Sequence, residues 1–292
     1  MPGVSSTTRT VAAADGTPIL VREWHATGAD ATWAGVLIVH GLAEHSGRYE
    51  HVGDWMAADG LRVTGYDLRG FGASGGRRAW TDRWSRHHDD LEERLLAIRA
   101  EAPDRPLALY GHSMGALVAL GYVVADPPRP LPDVLVLSAP ATDSSLPGWQ
   151  KTAAPILARV APTLEIKNAF DGTILSRDPS VAERYLADTL NYHRTTTRLG
   201  AEALAEQRRV LAATSRLSLT TLVIHGGDDR LVPTASSAHL AELPTVTRRV
   251  HEGLRHESHN EPEGEQVIAG VVAWLRSVLE SPATEDSPPG SA

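Results

Sequence analysis

The sequence predicts an α/β fold in which a mostly parallel, doubly wound sheet is flanked by helices. Short, unbroken apolar runs alternate with longer segments of helical period. This alternation is typical of strands buried on both faces and joined by helical crossovers. The alternation stops between Ala141 and about Leu219. Because that stretch is too long for a simple connection, we expect a helical cap inserted after the strand that ends near Pro140.

Apolar runs predict the strands in order. An antiparallel hairpin at the sheet edge is predicted first, from "TRTVAAADG" and "PILVREWHA", with Asp15-Gly16 as its turn. A short strand that ends near Val250 is predicted last. Between them we expect five parallel strands, at residues 34–41, 61–67, 106–111, 133–140 and 220–229.

The helices of the sheet domain are predicted from the segments between the strands. In "DDLEERLLAIRA" the residues Leu91, Leu95 and Ile98 share one face, opposite the charges. "MGALVALGYVVA" follows the third parallel strand, and "EQVIAGVVAWLRSVL" ends the fold. The sequence therefore supplies helices for both faces of the sheet.

The insertion contains one amphipathic pattern and no strand-like run. Apolar residues recur there at steps of three and four, which predicts a helix; they are Leu146, Trp149, Ala153, Ile156, Leu157 and Val160. An apolar face of this size is rarely left open on a soluble monomer. We expect it either to pack on the sheet domain as core or to line an acyl pocket, with an outer edge that meets lipid.

These elements divide the chain. The α/β core is predicted at residues 1–142 and 206–280, the cap at 143–205, and a disordered Pro/Ser-rich tail at 281–292.

Composition excludes several functions. The chain has 292 residues, a formal net charge of −8 and no cysteine. Mild acidity without a basic run argues against a nucleic-acid surface, and a chain without cysteine has no thiolate nucleophile. The start shows no secretory pattern, and no run of about 18 apolar residues occurs. We therefore expect a cytoplasmic protein that needs no cofactor or metal, with the oligomeric state left open.

The segment "LALYGHSMGALVAL" carries the clearest chemical signal. Ser113 stands between Gly111 and Gly115, where a buried strand is predicted to turn directly into a helix. This G-x-S-x-G spacing in this context is typical of a nucleophile elbow, whose crowded neighbours must be small. The helix end adds backbone N–H groups and partial positive charge beside a developing anion. Ser113 is therefore the candidate nucleophile.

A serine nucleophile needs a base and an orienting carboxylate, expected in the chain order serine, acid, histidine. "VIHGGDDRLVP" places Asp228 and Asp229 in the loop after the fifth parallel strand. "RRVHEGLRHESHNE" offers three histidines, His251, His256 and His259. We expect one to be the base, with His256 favoured over His259, and two to be polar surface residues. A metal site there is disfavoured because no second group of ligands pairs with it.

Two further features follow from the same pattern. The oxyanion donors are expected to be the backbone N–H groups of Met114, after the nucleophile, and Leu42, after the first parallel strand. The run "HHDD" at residues 87–90 is interpreted as the solvated first turn of a helix.

These residues carry a resemblance to a family. The segments "HGLAEHSGRYEHVGDWMAADGLRVTGYDLRGFGASGG", "GHSMGALVAL", "LSAPA", "HGGDDRLVP" and "HEGLRHESHNEPEGEQV" are similar to those of the monoacylglycerol lipase and lysophospholipase group of α/β-hydrolases. The resemblance runs from about Val11 to Leu279. It implies that the second aspartate, Asp229, is the catalytic acid, and that the base is His256, which directly precedes a glutamate.

The chain departs from the family pattern at a few positions. Ala116 replaces a second glycine, and His259 stands where an aliphatic residue is usual. The cap segment at residues 188–193 resembles the family's D-P-L-V-Y-H with two replacements. The last two departures concern the expected edge of the pocket, for which Trp149, Ile156, Leu157 and Tyr192 are the candidate substrate-binding residues.

The resemblance implies a serine hydrolase that cleaves fatty acyl esters through an acyl-enzyme, such as a monoacylglycerol lipase. A general carboxylesterase, a thioesterase or a lysophospholipase would use the same triad. A peptidase is disfavoured because no acidic site for a substrate amino terminus is evident. A dehalogenase is disfavoured because Ser113 stands where its aspartate would be. A non-catalytic binding protein would be expected to lack part of the triad. We expect a small lipid ester as the partner, with transient contact between the cap and a membrane surface.

Overall fold

The computed structural model describes residues 6–26, 32–143, 146–168 and 172–280. Its strands are β1 (Thr7–Ala12), β2 (Pro18–Trp24), β3 (Ala34–Val39), β4 (Leu61–Tyr66), β5 (Leu107–His112), β6 (Val134–Ser138), β7 (Glu165–Lys167), β8 (Arg194–Thr196), β9 (Thr221–Gly226) and β10 (Val246–His251). Its α-helices are α1 (Glu50–Ala58), α2 (Ser85–Glu101), α3 (Met114–Val123), α4 (Gly148–Val160), α5 (Pro179–Ala187), α6 (Thr197–Ala213) and α7 (Gly264–Leu279).

Eight of these strands form one sheet in the order β1-β2-β4-β3-β5-β6-β9-β10. The pairs from β4 to β10 are parallel, whereas β1–β2 and β2–β4 are antiparallel. The predicted fold class and edge hairpin are confirmed. The hairpin turns at Gly16, whose φ of +82° is a conformation that glycine adopts without strain.

The sheet has an apolar layer on each face. One layer joins residues of β3, β5 and β6 to α2 and α3 and includes Leu91, Leu95 and Leu117. The other joins the opposite sides of the same strands to α1 and α7 and includes Val52, Ile268 and Leu275. Residues of the central strands are buried along their whole length. This explains why their sequences read as continuous apolar runs rather than alternating ones.

The segment between β6 and β9 is mainly helical, but it is not free of strands. The short strands β7 and β8 pair antiparallel and form a second, two-stranded sheet. The expectation of no strand in the insertion is therefore wrong. Three-residue strands are too short to show a period in sequence. Helix α6 runs through residue 205, where the cap was predicted to end, and the division into core and cap stays a prediction.

Helix α4 has the predicted amphipathic sequence, but its large apolar side chains are not covered. Trp149 is 71% exposed, Ile156 67% and Val160 75%. The helix packs along α6, and the side chain that it buries is the small Ala158. The alternative that this face packs on the sheet domain as core is therefore wrong for its exposed side chains, and the alternative of an acyl pocket with an outer edge at lipid stays a prediction.

The histidines at the start of α2 are also placed differently from the prediction. His87 and His88 are buried, as is Asp90, which forms a forked ion pair with Arg69 at 2.5 and 2.6 Å. The interpretation as a solvated first turn is wrong. His88 Nε2 lies 3.4 Å from the buried carboxylate of Glu206, and the Trp84 ring contacts His87 edge-on at 5.2 Å.

Among the residues that the structure describes, no helix is both long and apolar enough to cross a lipid bilayer. The tail predicted to be disordered lies outside the described residues.

Candidate active site

Ser113 forms the turn between β5 and α3. Its φ of +52° and ψ of −116° are an arrangement that non-glycine residues rarely adopt and that costs of the order of 1–3 kcal/mol. The turn is held by hydrogen bonds on both sides: Ser113 N–H donates to the carbonyl of Ser138 at 2.9 Å, and Ser113 C=O accepts from Leu117 at 3.1 Å and from Ala141 at 3.2 Å. The surrounding fold therefore stabilises a strained residue at the end of a central strand.

Two glycines make this turn possible. A Cβ atom at Gly111 would lie 2.6 Å from the carbonyl oxygen of Gly115, and one at Gly115 would lie 2.1 Å from the carbonyl oxygen of Val39. Since real Cβ contacts do not approach that closely, side chains are excluded at both positions. This is the physical reason for the G-x-S-x-G spacing.

His256 lies directly against the serine. Its Nε2 is 2.9 Å from Ser113 Oγ, and its Nδ1 is 2.7 Å from Asp229 Oδ2. A carboxylate only accepts, so Nδ1 carries the hydrogen and Nε2 is free to accept the serine proton. Burial alone would lower the pKa of His256, but the charge of Asp229 and its hydrogen bond outweigh burial and raise that pKa above its ordinary value.

Asp229 is held by four donors. Oδ1 accepts from the N–H groups of Leu231 at 2.8 Å and Val232 at 2.9 Å. Oδ2 accepts from His256 and, at 3.2 Å, from His225 Nε2. Burial would raise the pKa of this carboxyl, but the charge of His256 and the hydrogen bonds hold it well below its usual range. The carboxylate is thus fixed in orientation and ionised at neutral pH.

The neighbouring Asp228 is placed differently. Its side chain is exposed, and its backbone N–H donates to the carbonyl of Leu254. Of the two aspartates predicted as candidate acids, Asp229 is the one brought to His256.

The predicted oxyanion donors lie on two sides of the serine. Met114 is the first residue of α3, so its N–H has no acceptor within the helix. Leu42 belongs to the loop after β3, next to Gly41. A Cβ at Gly41 would lie 3.2 Å from the Cβ of Ser113, which shows how closely that loop approaches the nucleophile.

The loop after β3 is fixed by a buried glutamate that the sequence analysis did not single out. Glu44 accepts hydrogen bonds from the N–H of Gly41 and, at 2.9 Å, from the hydroxyl of Tyr49. Its second oxygen accepts from Arg48 at 2.7 Å. These hydrogen bonds of Glu44 therefore stabilise the loop that contains the candidate oxyanion donor Leu42.

Arg48 connects this loop to the histidine loop and to α5. Its guanidinium donates to both carboxylate oxygens of Glu257, at 2.6 and 2.7 Å. It also lies over the ring of Tyr185, 5.0 Å from the centroid. Glu257 directly follows His256, so one partly buried arginine links both sides of the site. Only the family resemblance to "EHSGRY" could have drawn attention to it.

The other two histidines of the predicted cluster lie in different environments. His251 is half-buried, whereas His259 is buried, stacks on Tyr49 at 5.1 Å and meets His112 edge-on at 4.8 Å. The expectation that His259 is a surface residue is wrong. Burial, followed by the nearby His112, holds the pKa of His259 well below its usual range, so a neutral ring occupies a space in the core that an aliphatic side chain could fill.

The predicted substrate-binding residues are not gathered into an enclosed pocket. Trp149 and Ile156 are exposed on α4, and Leu157 is half-buried. Tyr192 is half-buried and packs against the apolar layer that contains Met114. Ser113 itself is only 8% exposed. In the segment between β6 and β9, Asp188 Oδ2 accepts a hydrogen bond from His45 Nε2 at 2.7 Å.

This arrangement can carry out acyl transfer. A hydroxyl, an imidazole and a carboxylate form one hydrogen-bonded chain beside a helix N-terminus, which is the set of groups that nucleophilic attack on a carbonyl requires. Within the described residues, no group of three or more histidine, aspartate or glutamate side chains is arranged to hold a metal ion.

Comparison with known proteins identifies the family. Residues 30–263 match the family model described as "Serine aminopeptidase, S33". The chain belongs to this family. It is 34% identical over 254 residues to a monoacylglycerol lipase from Mycolicibacterium smegmatis, covering 84% of this chain and 88% of the relative. It is 28% identical to human monoglyceride lipase, and the match covers 94% of this chain and 92% of the human protein.

Solved structures agree with the fold. A monoacylglycerol lipase from Paleococcus ferrophilus superposes with a TM-score of 0.77 at 28% identity and covers 89% of this chain and 98% of its own. A soluble variant of monoglyceride lipase from Saccharomyces cerevisiae, in complex with a substrate analog, gives a TM-score of 0.85 at 19% identity, with 94% and 96% covered. The α/β-hydrolase fold and the resemblance to this lipase group are confirmed, and the chain is a carboxylic ester hydrolase.

Proposed function

We propose that the protein hydrolyses monoacylglycerols through an acyl-enzyme formed on Ser113, with His256 as general base and acid and Asp229 as the orienting carboxylate. The observation that carries this proposal is the continuous chain from Ser113 Oγ through His256 to Asp229, with contacts of 2.9 and 2.7 Å. The similarity to proteins named monoacylglycerol lipase supports the choice of substrate.

The mechanism follows from the geometry. His256 Nε2 takes the proton of Ser113 as Oγ attacks the ester carbonyl, and the imidazolium that forms is stabilised by Asp229. The N–H groups of Met114 and Leu42 stabilise the oxyanion, and one such donor is worth about 3–4 kcal/mol in the transition state. His256 then gives its proton to the leaving alcohol. Water attacks the acyl-enzyme by the same route and releases the fatty acid.

The exposed apolar residues of α4 support a lipid substrate. Trp149, Ile156 and Val160 form a bare apolar edge on the segment between β6 and β9, as interfacial helices do. We propose that residues 143–205 act as a cap and that this edge makes transient contact with a lipid surface. Because each buried methylene contributes about 0.8 kcal/mol, acyl length should dominate affinity.

A labelling experiment tests the nucleophile. A fluorophosphonate probe should modify the protein stoichiometrically, with mass spectrometry placing the adduct on Ser113. The Ser113→Ala variant should take up no probe and lose activity by several orders of magnitude. An adduct on another residue, together with an active Ser113→Ala enzyme, would overturn the assignment.

An ester panel tests the substrate. Monoacylglycerols of increasing acyl length should give rising kcat/KM, and lysophosphatidylcholine of matched length should be poorer. Highest activity on acetate or butyrate esters would instead indicate a general carboxylesterase, and highest activity on the lysophospholipid would indicate a lysophospholipase.

A further inference from the structure

A second histidine contacts the candidate catalytic acid. His225 lies in β9, and its side chain is buried. Its Nε2 is 3.2 Å from Asp229 Oδ2 and 3.0 Å from the carbonyl oxygen of Val232, and its Nδ1 is 2.9 Å from Ser237 Oγ. Asp229 Oδ2 is therefore shared by two imidazole rings, one of which the triad uses.

The hydrogen positions on His225 follow from its partners. The carbonyl of Val232 and the carboxylate of Asp229 only accept, so His225 Nε2 carries a hydrogen that both share. In the neutral ring Nδ1 is then an acceptor that faces the hydroxyl of Ser237 at 2.9 Å, and the same hydroxyl lies 3.1 Å from a second acceptor, the carbonyl oxygen of Thr234. Ser237 Oγ in turn accepts from Arg248 Nε at 3.0 Å. The two acceptors at Nε2 thus favour the tautomer of His225 that donates to the acid.

We propose that His225 is a positioning residue for the acid–base pair: its Nε2–H fills the remaining acceptor site of Asp229 Oδ2 and moderates how strongly that oxygen holds the proton of His256. This inference rests on the proposed triad. A donor on Oδ2 fixes the carboxylate rotamer and draws charge away from the oxygen that faces His256. Without it, the carboxylate would hold the imidazolium more tightly, and Oδ2 would keep His256 as its remaining donor.

Few charged groups surround His256 and His225, and Asp229 is common to both. The charged and titratable groups that face the His256 ring are Asp229, His112 at 4.9 Å between centroids, and the carboxylates Glu257 and Glu44. Those two carboxylates are paired with Arg48. Around His225 the charged groups are Asp229 and, through Ser237, Arg248. Asp229 is the group that touches both rings.

The test removes the donor and keeps the fold. His225→Leu and His225→Phe lack the N–H, and His225→Gln keeps an amide N–H donor. A hydrogen bond to a charged group is worth roughly a 10- to 100-fold effect; since this one is shared with Val232, we expect kcat/KM to fall about tenfold at the low end of that range. The acidic limb of the kcat/KM profile should move up by about half to one pH unit, with KM little changed and with recovery in His225→Gln.

His239→Leu is the matched control, since it removes a half-buried histidine from the neighbouring segment without touching Asp229. Its pH profile should equal that of the wild type. A folded His225→Leu or His225→Phe enzyme with the wild-type limb and kcat would overturn the inference.

A measurement on the wild-type enzyme needs no variant to fold. Nitrogen-15 NMR of the histidine rings at the pH of activity should find the hydrogen of His225 on Nε2, and a hydrogen on Nδ1 alone would equally overturn the inference. Failure of the proposed function has a different signature, namely an inactive wild type or an active Ser113→Ala.

Discussion

At the scale of the residue, burial and charge act on His256 in opposite directions. Burial lowers its pKa, and Asp229 raises it by a larger amount. The neutral base is the active form, so activity should increase as pH rises through a pKa above the ordinary 6.5. We expect kcat/KM for a soluble short-chain ester to show this acidic limb, with its midpoint above the ordinary histidine value of 6.5.

Removing the charge of Asp229 should shift that limb. Asp229→Asn keeps the size of the side chain but lacks the negative charge, so the pKa of His256 should fall and kcat should drop by about 10³- to 10⁴-fold, as for other triads. Asp228→Asn is the matched control, because its side chain is exposed one position away, and it should behave as wild type. A stronger loss in Asp228→Asn than in Asp229→Asn would reverse the assignment.

Sequence reasoning reached some of these residues and missed others for a physical reason. Ser113 was predictable because a strained turn demands glycines at fixed spacing, and that requirement is visible in sequence. His225 and Glu44 act through contacts with residues that are brought close only by the folded loops. His259 was misplaced because a buried neutral histidine and a solvated one look alike in sequence.

At the scale of the element, α4 has both exposed and half-buried apolar residues, which its amphipathic sequence pattern does not distinguish. Ile156 is 67% exposed, whereas its neighbour Leu157 is half-buried. Ile156→Ser should therefore leave the melting temperature within about two degrees of wild type, since exposed substitutions typically change stability by no more than about 0.5 kcal/mol. It should lower activity on long-chain monoacylglycerols presented in vesicles or emulsions, with little change on a dissolved butyrate ester.

Leu157→Ser is the paired comparison. It introduces a hydroxyl into a partly buried apolar position, so we expect a lower melting temperature and a parallel loss on all esters. Equal losses on both substrates in Ile156→Ser would refute a role for the exposed face at a lipid surface. Circular dichroism melts and rates on the two substrates distinguish these outcomes.

The fold itself was predictable to the extent that burial dictated sequence. The central strands are buried on both faces, and their apolar runs located them to within three residues. The orientation of α4 was not predictable, because an amphipathic period shows that a helix has an apolar face and not what meets it. In this protein Ala158 is the buried side chain of α4 and Leu157 is half-buried, whereas Trp149, Ile156 and Val160 are exposed.

At the scale of the whole molecule, the core contains several histidines that burial keeps neutral. Burial lowers the pKa of His87 and of His112 to about 3, and it also lowers the pKa of His40 and His88. In the unfolded chain these groups titrate near 6.5. The unfolded state therefore binds more protons below that pH. The stabilising contribution is complete above pH 6.5 and is lost as pH falls toward 3.

The size of this effect can be measured on one residue. For a pKa of about 3 in the folded state and about 6.5 in the unfolded state, lowering the pH from 7 to 5 should cost about 2 kcal/mol for His87 alone. His87 has no hydrogen-bond partner on either ring nitrogen among the described residues, so His87→Leu removes the titration without breaking a bond. The difference in free energy of unfolding between pH 7 and pH 5, from urea titrations, should shrink by that amount. The control is His25, which is exposed. His25→Leu should leave the difference in free energy of unfolding between pH 7 and pH 5 unchanged. If His87→Leu keeps the full wild-type difference, then His87 titrates alike in both states and the loss of stability in acid arises elsewhere.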